Sequence, residues 1–206
     1  MYARSTTIQA NVSAIEDGVG QVRDVVLPEL QAAGGFVGLS MLADRGSGRC
    51  IATSSWESLD AMRASEYTVR PLRHQVSQLL GGTPHVEEWE IAFLHRDHRS
   101  RPGACVRATW LQTDAARLDR AIDAYKMGAL PAIESLEGFC SASLLVDRGS
   151  GRAVSSVAYD NVDAMRRSDE RAARVRTSAT EDTGAHVMEV CEFELVLAHL
   201  RVPELA

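Results

Sequence analysis

The sequence predicts an α+β protein built from one module used twice. Three observations carry this. The hexapeptide Asp44-Arg45-Gly46-Ser47-Gly48-Arg49 recurs unchanged as Asp147-Arg148-Gly149-Ser150-Gly151-Arg152, 103 residues further on. The same offset aligns Asp60-Ala61-Met62-Arg63 with Asp163-Ala164-Met165-Arg166, Gly35-Phe36 with Gly138-Phe139, Leu27-Pro28 with Leu130-Pro131, and Arg4 and Gln9 with Arg107 and Gln112. Near the end of each copy the offset becomes 104, pairing Glu88-Trp89-Glu90 with Glu192-Phe193-Glu194. Within each copy, strand and helix signals follow one another in the order β-α-β-β-α-β.

In the first copy, residues 2–10 alternate and carry β-formers, which predicts a strand. Residues 15–33 have helical spacing, stop at Gly34-Gly35, and must kink or restart at Pro28. Residues 36–43 and 49–56 are strand runs, and the DRGSG between them supplies the glycines of a hairpin turn. Residues 58–80 are helical, with a break expected at Pro71. Residues 87–94 form a last strand, with Trp89, Ile91 and Phe93 expected to meet the helices and Glu88 and Glu90 to point the other way. This order is that of a ferredoxin-like module, which leaves one sheet face bare. Two fused copies are therefore expected to stack those faces into an intramolecular dimeric α+β barrel.

Module boundaries fall at 1–96 and 104–206, with 97–103 as linker inside the polar, turn-forming stretch HRDHRSRPG. A hydrophobic content of 45% against 24% charged residues is enough to bury a core in each half. The net charge of −6 opposes a nucleic-acid surface, which needs a basic field. No apolar run is long enough to cross a bilayer and the first residues do not read as a signal peptide, so a cytoplasmic location is expected. Cys50, Cys105, Cys140 and Cys191 lack CxxC spacing and read as buried free thiols. The histidines show no metal-ligand spacing, and no metal is expected.

Gly35-Phe36 opening the second strand, Ser55-Trp56-Glu57-Ser58 closing the third, Asp60-Ala61-Met62 starting the second helix and the Glu-aromatic-Glu of the last strand together resemble the antibiotic-biosynthesis-monooxygenase domains of the dimeric α+β barrel superfamily. The resemblance spans both copies. It implies a cleft that takes a small-molecule substrate and, in the oxygenase branch, oxidation of a planar aromatic or quinol without metal, flavin or other cofactor. It also implies two other readings, a non-catalytic binding module and a haem-degrading protein. A homodimer of the pseudo-dimeric chain is the one protein partner it suggests.

Site candidates follow from the same residues. His74, eighteen residues after Trp56, is similar in position to the axial ligand of the haem-degrading branch. However, it lies opposite the stripe Leu72, Val76, Leu79 and Leu80, and Thr177 replaces it in the second copy. Glu90 and Glu194, with Glu88 and Glu192, are carboxylates placed to act as bases, with Arg4 and Arg107 as ion-pair partners. Thr7, Trp56 and Trp110 are the ligand-binding candidates. Trp110 replaces Thr7, so the first pocket is expected to be the more open one. The arginines of the last helix, Arg166 to Arg176, read as a solvated ion-paired face, and DRGSGR as turn chemistry rather than a phosphate loop.

Overall fold

The computed structural model describes residues 1–200. Eight strands, β1 (Tyr2–Gln9), β2 (Phe36–Ala43), β3 (Arg49–Trp56), β4 (His85–Arg96), β5 (Cys105–Gln112), β6 (Phe139–Asp147), β7 (Arg152–Tyr159) and β8 (His186–Leu200), hydrogen-bond in the order β1-β3-β2-β8-β5-β7-β6-β4, a closed antiparallel barrel. The tandem α+β barrel expected from the sequence is the fold of the chain.

Two compact units can be distinguished. The first holds Met1–Trp89 and the described residues from Glu194 on. There β3 lies between β1, in register from Tyr2↔Trp56 to Gln9↔Arg49, and β2. The other edge of β2 is paired by the second half of β8, from Gly38↔Leu200 to Ala43↔Glu194. The second unit, Glu90–Phe193, repeats this plan: β7 lies between β5 and β6, and the second half of β4 pairs β6 from Glu90↔Val146 to Arg96↔Ser141.

The first helix of each copy contains a π turn, Val22–Val26 or Tyr125–Ala129, just before Pro28 or Pro131. A proline cannot donate to the carbonyl four residues back, and the wider turn accommodates that missing bond. The second helix is broken at Ser65, between Leu59–Ala64 and Glu66–Leu80, whereas the break was expected at Pro71; the proline stands inside the longer segment. The second copy breaks at the equivalent Ser168 although Arg174 replaces the proline. The shared cause is a buried strand arginine. Arg4 donates to Met62 O at 3.0 Å, and Arg107 to Met165 O at 3.1 Å, so each guanidinium caps the end of the short segment.

The same arginines correct the expected facing of the last strand. Glu88 accepts from Arg4 at 3.0 Å and Glu192 from Arg107 at 2.7 Å, which puts these carboxylates on the helix-bearing face. Trp89 points the other way, donating its Nε1–H to Ser5 Oγ at 2.9 Å. A register shift between Ile91 and Phe93 then returns Phe93 to the helix side, against Leu118, Ile122 and Tyr125. An apolar residue at the alternating positions was read as helix-facing; ion pairing to a buried arginine decides the strand's orientation instead.

The DRGSGR segments are turns, as expected. Asp44 Oδ1 accepts from Gly46 N at 2.8 Å and Asp147 Oδ1 from Gly149 N at 2.9 Å. Gly48 and Gly151 are left-handed (φ +84° and +73°), and a Cβ there would meet Ala10 O or Thr113 O at 2.3 or 2.2 Å. Only glycine fits that close approach of the hairpin to the end of β1 or β5.

Candidate functional site

Each unit holds a cavity between the strand face carrying its buried arginine and its helices. In the first, Arg4, Thr6 and Ile8 of β1 form the floor, and Val22, Val69, Val76 and Leu80 close it to about 60 Å³. In the second, Arg107, Thr109 and Leu111 of β5 form the floor of a cavity of about 100 Å³. The difference follows from substitutions between the copies. Val69, Val76, Leu80 and Cys50 become Ala172, Ala179, Thr183 and Ala153, and each loss of side-chain volume leaves space that close packing fills in the first copy. This reverses the expectation that the first pocket is more open. That expectation rested on Trp110, but strand alternation turns Trp110 to the other face, where its ring meets Phe193 edge-on at 6.4 Å.

The larger cavity also gains polar groups. Tyr125 replaces Val22 and Ser155 replaces Ala52, and their hydroxyls are 3.0 Å apart. Burial pushes the Tyr125 phenol up to about 12, against the hydrogen bond from Ser155, so at neutral pH it is a protonated donor. Tyr159 stands where the first copy has Trp56, its hydroxyl 3.4 Å from Arg107 Nη1. Arg176 lines the same cavity. Burial, and next the neighbouring Arg107 charge, pull its pKa below the ordinary guanidinium value, while Asp169 and Glu192 act in the opposite sense. Its guanidinium makes no hydrogen bond or ion pair among the described residues, while its backbone carbonyl accepts from Thr180 Oγ1 at 3.0 Å. Three of the lining residues, Ala129, Val175 and Ala179, also line an adjoining groove of about 320 Å³.

The residues singled out in the sequence are placed as follows. His74 is exposed on the helix Glu66–Leu80 and lines neither cavity. Thr7 is on the face of β1 opposite Thr6 and Ile8. Trp56 is fully buried in the first unit's core, its Nε1–H donated to Ser54 Oγ at 3.0 Å. Glu90 and Glu194 accept from the turn arginines, Arg148 at 2.6 Å and Arg45 at 2.7 Å. The hexapeptide repeat therefore also carries an arginine that anchors the last strand. Of the helix arginines, Arg167 pairs with Glu137 at 2.7 Å as a solvated residue should, whereas Arg176 turns inward. Reading the two copies against each other at the cavity positions is the signal that would have found Tyr125, Ser155 and Arg176.

No protein-family profile matches the chain. It is 56% identical over 205 residues to the uncharacterized protein Rv2557 of Mycobacterium tuberculosis, spanning 100% of this chain and 92% of that one. A second uncharacterized protein of the same organism, Rv2558, is 53% identical over 206 residues, spanning 100% and 87%. The chain belongs to the Rv2557 family. Structures similar to this family member include a candidate monooxygenase from Lactobacillus acidophilus NCFM (TM-score 0.72, 10% identity, 97% and 96% of the two chains). An anthrone oxidase-like protein gives a TM-score of 0.67 at 14% identity, covering 100% and 95%. A ferredoxin-fold protein related to antibiotic biosynthesis monooxygenases from Listeria monocytogenes 4b F2365 gives 0.51 at 10%, covering 95% of both. At these identities the likeness shows the fold, which the Rv2557 family shares with antibiotic-biosynthesis-monooxygenase-like proteins. No helix among the described residues is long and apolar enough to cross a membrane.

Proposed function

We propose that the second unit binds a planar aromatic or quinol small molecule in its cavity and oxidises it as a cofactor-independent monooxygenase. The carrying observation is the inward-facing Arg176, a cation without an ion-pair partner among the described residues, on a wall that is otherwise largely apolar. An engineered cavity of roughly 150 Å³ takes a benzene, so the 100 Å³ found here, about two-thirds of that, admits a single ring only when lining side chains give way. The adjoining groove gives room for the rest of a larger molecule.

The chemistry follows from charge in a poorly hydrated space. A guanidinium there stabilises a phenolate or enolate oxygen more than it would in water, which lowers the substrate's pKa and sends its proton to solvent. Tyr125 and Ser155 offer hydroxyls to a second polar atom. The ionised substrate is the electron donor for dioxygen: a CH₂ carbon loses two hydrogens and gains one oxygen atom as a carbonyl, the other oxygen atom leaves as water, and the substrate supplies all four electrons. The anthrone oxidase-like name of one structural neighbour fits such a conversion.

The test uses anthrone as probe, following oxygen uptake and incorporation from ¹⁸O₂. Saturable uptake above the uncatalysed rate, with one labelled atom in the product and loss of both in Arg176→Gln, is expected. Saturable binding with no uptake would make the second unit a binding module of the same fold.

A further inference from the structure

Outside the cavity, the residues that follow β4 meet the second unit's sheet. We propose that His98, Cys140 and Asp160 form a site for a divalent transition metal of the zinc type. The ligand atoms of these three side chains all lie within 4.8 Å of one another. His98 Nε2 is 2.9 Å from Asp160 Oδ1, and Cys140 Sγ is 3.5 Å from the same oxygen. Donors around a tetrahedral zinc, at about 2.0–2.3 Å from the ion, are roughly 3.3–3.8 Å apart, so only small side-chain movements would close the set.

The frame around these donors is already fixed. Cys140 lies at the start of β6 and Asp160 just past the end of β7, which are paired strands. The backbone N–H groups of Asp97 and His98 both donate to Cys140 O, at 2.9 and 3.3 Å, holding the chain over the thiol. Asp97 Oδ2 is 2.7 Å from His98 Nδ1, the outer-shell carboxylate that orients an imidazole and leaves Nε2 for the metal. His98 and Asp160 are 37% and 39% exposed, so an ion can enter and water can complete its coordination. On binding, the metal would take the place of the proton between His98 Nε2 and Asp160 and of the thiol proton of Cys140, both of which leave to solvent, while His98 Nδ1 keeps its proton toward Asp97.

The set is specific to one copy. Val37 and Glu57 occupy the positions of Cys140 and Asp160 in the first, so a coordinating thiol is absent there and the fold does not require one. The ligands are 42 and 20 residues apart in sequence, which is why no local ligand spacing announces them.

Metal-stripped full-length protein would be titrated with Co²⁺. One equivalent should bind with a thiolate-to-metal charge-transfer absorption and the visible bands of a tetrahedral ion, and Zn²⁺ should displace it. Cys140→Ser should abolish the charge-transfer absorption, and His98→Ala or Asp160→Asn should weaken binding at least tenfold. Asp97→Asn should cost about tenfold, acting through His98. Cys191→Ser, altering a thiol remote in sequence, should change nothing. No charge-transfer absorption, or one that survives Cys140→Ser, would overturn the proposal. So would affinities unchanged by His98→Ala and Asp160→Asn, both at half-exposed positions where the fold is expected to tolerate them and circular dichroism verifies that it does.

Discussion

Arg176 occupies the helix position that Arg73 holds in the first copy, yet only Arg73 is paired. Glu66 accepts from both Arg73, at 2.8 Å, and Arg4, at 3.1 Å. Its counterpart Asp169 is one methylene shorter and engages Arg107. A single Glu-to-Asp difference between copies thus leaves one guanidinium available to the cavity.

It follows that Asp169→Glu should restore the missing pair and withdraw Arg176 from the cavity. Affinity for an aromatic probe with an ionisable hydroxyl is expected to fall about tenfold, corresponding to roughly 1.4 kcal/mol, measured by calorimetry. Stability should be unchanged or slightly raised. Undiminished affinity would show that Arg176 does not bind the anionic oxygen.

Filling the second cavity with the first copy's residues should remove binding without unfolding the protein. The variant is Ala172→Val, Ala179→Val, Thr183→Leu. It adds apolar contacts where space exists, so the urea midpoint should hold or rise, whereas oxygen uptake and probe binding should both be lost.

Arg107→Ala should lower stability by about 1–3 kcal/mol in urea unfolding, since Met165 O and Glu192 lose their donor together. The figure is below that for a fully buried pair, because Glu192 and Asp169 are about half exposed and can hydrate. Arg4→Ala should behave alike through Met62 O and Glu88.

Acid should reveal the hairpin turns. The Ser47 hydroxyl chiefly, with the Gly46 and Ser47 N–H groups, holds the Asp44 carboxyl below its usual range against burial, which is the second-largest effect, and Ser150 does the same for Asp147. A carboxylate whose folded-state pKa is depressed stabilises the fold above its unfolded value, about 3.9, and loses that contribution as pH falls through the folded value. The double variant Asp44→Asn, Asp147→Asn should therefore be less stable than wild type at pH 7. The gap in urea midpoint should narrow progressively below about pH 4.

Haem offers a check on the exposed histidine. A ligand on a solvated helix face has no apolar wall to cover a porphyrin. Titration should give no saturable Soret shift attributable to His74, and His74→Ala should match wild type.

The duplication and the β-α-β-β-α-β order were legible because turn chemistry and apolar periodicity are local signals. The facing of β4 and β8 was not, because Trp89 and Phe193 are buried apolar residues on the face away from the helices, and apolar alternation alone does not tell the two faces apart. What orients their strands is an ion pair to Arg4 or Arg107 more than 80 residues away in sequence. Pro71 misled for the converse reason: a strong local breaker is tolerated inside a helix whose true break is set by a distant arginine. At the cavity, Trp110 drew attention by size, whereas the informative changes were losses of volume at Ala172 and Ala179.

β4 and β8 each belong half to one unit and half to the other. Two separate chains of this design would have to find one another by collision, and their stability would fall on dilution. Joined in one polypeptide, the completing strand is always present at a high effective concentration, whatever the amount of protein. That removes any need for the two halves to stay interchangeable. One can be packed more tightly while the other opens a larger cavity, a freedom that an assembly of identical subunits, where every substitution appears twice, does not have.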